Sequence, residues 1–412
     1  MAVSDSSVPS PARAPGPRYW PELDLLRALA GVCMVSNHAG VSWLSESAWR
    51  QGLNGAITFV GSLAPVLFFT VTGLGRGIQA VGRAPKPIAD TLRKTLVLVL
   101  ADAAFWLSPS QHFGLDFLGF IGLSALVLEL LDRSRRPVLA IGLAFGACLA
   151  LRFGVAPRLR LPTEGGLGLR ALHVLLGDAG VPGVSYPLCP WLAYPLFGWL
   201  VGRYAVARAE RIRAERIRSA GLLAALALCG IGLCLVLLRR HMVFFRWGTL
   251  SFAFCLLGFT AVVAGMSLVL AAVAGLGARL VAALSLPGIA SFVLVPIHYA
   301  LVGALKPALR EPLARQALLF PLLLVMLVAL VFLTAKAIEG RMRRLLGGSP
   351  RPGVARWLLL AVLALLLVQL FTAQSGARAL IRLVAQLLAT GLFVLWSRPR
   401  GATPSAGGSP SR

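Results

Sequence analysis

Acidic residues are scarce, with fifteen Asp and Glu against forty Lys and Arg in 412 residues. Charge of either sign makes up only 13% of the chain, too little to cover the surface of a water-soluble globule of this size. Lysine supplies only four of the forty basic positions, so nearly all the positive charge is arginine, a skew that genome composition also favours. Cysteine is sparse as well: the six are scattered, and none stands in CxxC or Cys/His spacing, which leaves neither a disulfide framework nor a metal site to expect. Histidine occurs five times, so any histidine inside an apolar run stands out.

What the chain does have is apolar length. Hydrophobic residues make up 58%, and the mean hydropathy is +0.81. A helix needs about 20 residues to cross a bilayer. Runs of roughly that length lie near 23–41, 56–75, 94–108, 114–131, 137–151, 188–205, 219–238, 249–274, 287–305, 317–338, 355–373 and 379–396. The expectation is an all-α, polytopic bundle of ten to twelve transmembrane helices over 20–396, with disordered tails at 1–19 and 397–412 and no cleaved signal peptide.

A formal charge of +25 would suggest nucleic acid for a soluble chain, but here the arginines cluster between apolar runs and nucleic acid is excluded as a partner. Counted on alternate sides of twelve spans, Lys and Arg are about twice as frequent on the side of the N-terminus, which predicts a cytoplasmic N-terminus in the cell inner (plasma) membrane. The inner side then holds the arginine run 208–218 and the cluster 336–356. The Gly- and Pro-rich stretch 152–186 falls outside and reads as an irregular loop.

Ionisable groups within a span are costly and default to a functional reading. The first span holds three. Asp24 and Arg27 are three apart and can pair on one helical face, which is also a sufficient structural reason for both. Arg27 and His38 are eleven apart, almost three turns, so they share a face roughly 16 Å apart along the axis. Imidazole is suited to general-base work, and guanidinium to phosphate or carboxylate. Asn37 beside His38 is a further candidate for orienting substrate. Asp102 and Asp116 flank a tight outer turn, as capping residues or as part of an acceptor site. Glu129 is expected to reach Arg133 one turn on, and His112, His173 and His241 to be ordinary exposed histidines.

The phrase Glu22-Leu-Asp24-Leu-Leu-Arg27-Ala-Leu-Ala30, followed by His38, resembles the first-helix signature of acyltransferase family 3, membrane enzymes that acylate carbohydrate hydroxyls. Ala64 to Gly73, with Phe68, Phe69 and Thr70, is similar to the phrase these enzymes carry on the next helix. Leu188 to Gly198, with Pro190 and Trp191, looks more like the Pro-Trp-Leu-Gly segment of heparan-alpha-glucosaminide N-acetyltransferase-like proteins. Ser285 to Tyr299, with His298 following Pro296, resembles a late helix seen in both groups. The chain departs from acyltransferase family 3 at Arg93-Lys94, where an Arg-x-x-Arg pair is usual.

The resemblance implies transfer of an acyl group, acetyl in the simplest case, from cytoplasmic acyl-coenzyme A as co-substrate to a hydroxyl of an extracytoplasmic or lipid-linked carbohydrate. It implies no resident cofactor, and the lipid bilayer and an envelope polysaccharide machinery as further partners. Catalytic roles then fall to His38, Asp24, Arg27 and Asn37, coenzyme binding to Arg27, Arg76, Arg93 and Lys94, and substrate binding to Trp191, Tyr186 and His298. Two other classes compete: a secondary transporter or exporter of the major facilitator type, and a scaffold without chemistry. Gly73 to Arg83 loosely resembles the facilitator loop signature but lacks its aspartate, and the two halves of the chain show no self-similarity. The last hundred residues read as unspecific apolar helices.

Overall fold

The computed structural model describes residues 20–81, 87–111, 114–159, 162, 166–176, 184–237, 251–346, 352–372 and 374–397. The two predicted disordered tails therefore lie outside the described residues, apart from Ser397. Helices run in the order α1 (Pro21–Trp43), α2 (Glu46–Arg50), α3 (Gly52–Gly61), α4 (Ala64–Gln79), α5 (Ile88–Trp106), α6 (Phe117–Asp132) and α7 (Pro137–Ala150). A π-helical turn at Leu151–Val155 joins α7 to α8 (Ala156–Leu159), followed by α9 (Leu167–Leu176), α10 (Leu188–Trp191), α11 (Ala193–Ala207), α12 (Ala209–Ala214) and α13 (Arg216–Leu237). The rest are α14 (Phe252–Gly275), α15 (Ala278–Leu284), α16 (Gly288–Arg315), α17 (Phe320–Leu345), α18 (Pro352–Phe371) and α19 (Ser375–Trp396). Among the described residues there is no strand beyond isolated bridges such as Leu115 with Val184.

All twelve predicted spans fall on helices, and eight helical stretches are long and apolar enough to cross a membrane. The protein is an all-α, multi-pass membrane bundle. The four spans outside those eight are α1, α5, α6 and α10–α11, which are shorter or carry charge. For α1 the reason is position: it packs against α3, α4, α14, α15, α16 and α17, so protein surrounds it and its polar groups find partners that lipid cannot offer. The loop 152–186 is less irregular than its composition suggests. Between its Gly- and Pro-rich parts, the amphipathic stretch Leu167–Leu176 forms α9, with His173 and Leu176 turned inward. His173 is therefore buried, its Nε2 2.7 Å from the Pro162 carbonyl, and not the exposed residue expected; His112 and His241 lie outside the described residues.

The most extensive contact in the bundle, α4 against α11, follows from a GxxxG spacing on both helices: Gly73 and Gly77 on one, Gly198 and Gly202 on the other. Small residues one turn apart let two backbones approach closely, the main route to tight packing where lipid removes any hydrophobic drive. A Cβ at Gly73 would run into the carbonyl of Pro195, which is backbone and cannot yield. Gly73→Leu is thus expected to destabilise the bundle by about 3 kcal/mol or more. The check is detergent-extracted yield and melting temperature, and a variant that extracts and melts like the native chain would show that this contact is not tight.

Candidate active site

α1 and α16 run parallel and are laced along their length. The amide of Leu286, just before α16, donates to the Asp24 carbonyl (3.0 Å), and Trp43 Nε1 donates to the Val302 carbonyl (2.9 Å). Between these ties Gly31 lets Leu294 close in on α1. The shared face predicted for Arg27 and His38 turns out to be the face against α16: Arg27 lies beside Gly288, and His38 meets His298 ten residues later.

His38 Nδ1 and His298 Nε2 are 2.7 Å apart, with the rings within 10° of coplanar. His298 Nδ1 is 3.0 Å from the Leu294 carbonyl, which can only accept. With both rings neutral this assigns every proton: His298 donates from Nδ1, its Nε2 accepts from His38 Nδ1, and the lone pair of His38 is left on Nε2. That lone pair faces the Tyr299 hydroxyl at 3.3 Å. The chain Tyr299, His38, His298, Leu294 therefore holds His38 in one tautomer with its basic nitrogen turned away from His298. His298 is fully buried, whereas His38 is half-buried.

The basic nitrogen opens on a narrow cleft of about 30 Å³, room for one or two waters. Its walls include Asn37, Asp116, Phe105, Tyr186 and Tyr299, and it lies toward the end of the bundle where α1 and α5 finish and α6 begins, against the middle of α16. Asn37 faces the cleft while its Nδ2 donates to the Thr58 carbonyl (3.1 Å), pinning α1 to α3. Asp116 caps α6, accepting from the Phe117 amide (2.8 Å). Asp102 accepts from the Asp116 amide (2.8 Å) and from Trp106 Nε1 (3.2 Å), so it fixes the turn that carries Asp116. Tyr186 is held by the Ser185 amide donating to Leu115 (3.0 Å) and by Trp191 behind it, at a ring separation of 5.0 Å.

The other predicted residues are placed as follows. Trp191 is fully buried among Phe69, Tyr186 and Tyr194, backing the cleft wall without lining the cleft. Asp24 and Arg27 form an ion pair on α1. Arg76 pairs with Glu129 (2.8 Å), which also binds Arg133 (2.9 Å) as expected from the sequence. Arg93 pairs with Asp90 (3.3 Å), and Lys94 follows it, half-buried, on the same turn of α5. Arg27, Arg76, Arg93 and Lys94 all belong to the opposite end of the bundle from His38, where α1 and α5 begin and α4 ends.

Residues 18–238 match the family model described as heparan-alpha-glucosaminide N-acetyltransferase, catalytic. The chain belongs to this family. The match falls on the second of the two groups that its sequence phrases resemble and makes the chain a membrane acyltransferase. No curated protein and no solved structure matches it.

The matched region of this acyltransferase supplies His38, Asn37, Asp116 and Tyr186, but His298 and Tyr299 come from α16, beyond it. The helices after α16 also contribute, contrary to their reading as unspecific apolar spans. Gln369 on α18 donates to the carbonyls of Ala104 (2.9 Å) and Leu107 (2.7 Å). On α19, Arg382 donates to Ala104 (3.1 Å) and Phe105 (3.1 Å), and Gln386 to Ala101 (3.2 Å). Together they satisfy the open carbonyls at the end of α5 and set Phe105, whose ring packs on Tyr299 at 5.1 Å. Sequence reasoning missed Tyr299, Phe105 and these three clamps. The signal was there for Arg382 and the glutamines, each a polar residue in an otherwise apolar run.

Proposed function

We propose that the protein transfers an acyl group, acetyl in the simplest case, from cytoplasmic acyl-coenzyme A to a carbohydrate acceptor, with His38 as general base. The single observation that carries this reading is the hydrogen-bonded chain that leaves His38 Nε2 as a lone pair facing the cleft. The acceptor's X–H group takes the place of the Tyr299 hydroxyl at Nε2. Its heavy atom attacks the thioester carbonyl carbon, the C–S bond breaks, and the proton held by His38 passes to the departing thiolate. His298 holds the imidazolium through its own Nε2. A sugar ring enters such a narrow cleft only when the wall of Tyr186 and Tyr299 moves, and Tyr299 is the more exposed of the two.

Arg27, Arg76, Arg93 and Lys94 are proposed to hold the coenzyme's phosphates at the basic end, exchanging part of their carboxylate pairing for phosphate. Asp24 and Asn37 are proposed to position α1, while Tyr186 walls the acceptor site with Trp191 in support and His298, buried behind His38, serves the site through that residue. With the N-terminus in the cytoplasm, His38 lies toward the outer face, and only the acyl arm of the coenzyme travels up the bundle.

The acceptor group has two readings. The sequence phrases favour a hydroxyl, as in modification of envelope polysaccharides. The family's own description names an N-acetyltransferase, and Asp116 supports an amine: a carboxylate in the cleft wall suits a sugar ammonium and offers a hydroxyl less. For an ammonium acceptor, His38 first takes one proton to free the amine, and each turnover releases one proton in all.

The test is purified protein with radiolabelled acetyl-coenzyme A and either glucosamine or an amine-free hexose. The amine reading expects label on glucosamine and, in Asp116→Asn, a rise of about tenfold in its KM with kcat and the coenzyme KM little changed, a loss of about 1.4 kcal/mol in binding. Asparagine still caps α6, so the fold is retained. Equal KM in native and variant would remove Asp116 from the site, and absence of transfer to either sugar would remove the carbohydrate.

A further inference from the structure

A second cavity, of about 510 Å³, lies at the basic end of the bundle, on the side of α1 away from α16. It exists because α13 packs along α14 and on little else, standing off from α11 and α4. At its inner end α13 is tethered by Arg216, which binds Glu22 of α1 at 3.1 Å, and by α12 running beneath. The body of the cavity is hydrocarbon, with Leu26, Phe197, Leu222, Leu226 and Met266 among its walls. Leu222 and Leu226 are more than half exposed, so the space opens sideways where the bilayer lies.

An apolar space of this size gains nothing from water, and leaving it empty forfeits the dispersion contacts of its walls. In a membrane, hydrocarbon fills it. The rim then states which hydrocarbon. Arg208, Arg211 and Arg218 line it against Glu22 and Glu215, leaving an excess of positive charge. Glu215 is shared between Arg211 (3.6 Å) and Arg218 (3.3 Å), so it neutralises neither fully. Arg208 stacks over Tyr204 (5.9 Å) and Arg213 over Trp20 (5.1 Å), and pairings of aromatic ring and basic side chain of this kind suit the headgroup layer of a bilayer.

We infer that this cavity is a binding site for an anionic phospholipid, with acyl chains between α13 and α11 and its phosphate on Arg208, Arg211 and Arg218. The bound lipid completes the wall that α13 leaves open beside α1, the helix carrying Arg27 and His38. The site is separate from the cleft, since none of its lining residues is shared with it.

The experiment is native mass spectrometry of the full chain in detergent, with dioleoylphosphatidylglycerol and dioleoylphosphatidylcholine added at equal concentration. The anionic lipid is expected to be retained at least fivefold over the zwitterionic one. Replacing both Arg208 and Arg211 by Ala should bring that ratio near one. Glu215→Gln, which releases two arginines, should raise it, a direction that misfolding does not produce. Equal retention of both lipids by the native chain, or a preference untouched by all these substitutions, overturns the inference. So does displacement of the lipid by coenzyme A, which would assign the cavity to the acyl donor. Because retention is read without turnover, its failure is distinct from failure of the acyl-transfer reading.

Discussion

His38→Ala is expected to lower turnover by roughly 10²- to 10⁴-fold, the usual contribution of a general base, while extraction yield and melting temperature stay near native. The fold survives because His38 lies at the edge of a cleft and the ties between α1 and α16 run through other groups: Leu286 to Asp24, Leu294 against Gly31, and Trp43 to Val302. Removing the ring also enlarges the space beside His298. Added imidazole should therefore enter, hydrogen-bond to His298 Nε2 and restore part of the rate. A variant with full turnover would end the assignment, and one with low activity that imidazole cannot raise would count against a base at this position.

The second large effect belongs to His298, which in this reading touches no substrate and acts through His38. Its replacement by Ala removes the acceptor that holds His38 Nδ1–H, and the imidazole becomes free to turn its lone pair away from the cleft. Loss of an orienting partner costs up to about 10⁴ where the wrong tautomer results. Here about 10²-fold is expected, since Tyr299 still faces the other nitrogen. Gln, which keeps an accepting oxygen, should recover part of that loss. The fall should lie in kcat, with KM for acetyl-coenzyme A unchanged. A purely packing role for His298 predicts instead that Ala and Gln differ only in stability, a pattern that melting curves measured beside the kinetics would expose.

Much of this arrangement could be read along the chain. The twelve apolar runs became helices because bilayer thickness sets a length that composition alone can meet. The spacing of Arg27 and His38 predicted one face because helical phase is local, and the pairing of Glu129 with Arg133 followed for the same reason. The phrase around Trp191 marked a segment that matters, though it could not say whether the indole faced substrate or, as found, the back of Tyr186.

Other features had a local trace too weak to place them. That α9 interrupts the loop 152–186, and that α12 closes the floor of a cavity, depends on what each amphipathic stretch finds to pack against.

By itself, the sequence determined that this is a membrane bundle, that Arg27 and His38 share one face of its first helix, and that a second histidine stands in a late apolar run at residue 298. Only the tertiary structure decided that His38 and His298 share a hydrogen bond, that Tyr299, Phe105 and Asp116 wall the cleft, and that Gln369, Arg382 and Gln386 hold α5 in place. The reason is physical. Periodicity fixes the direction of a side chain relative to its own helix axis, whereas partners 260 or more residues apart, such as His38 with His298, meet only through the packing of whole helices, and that packing depends on glycine contacts and interhelical bonds summed over the bundle.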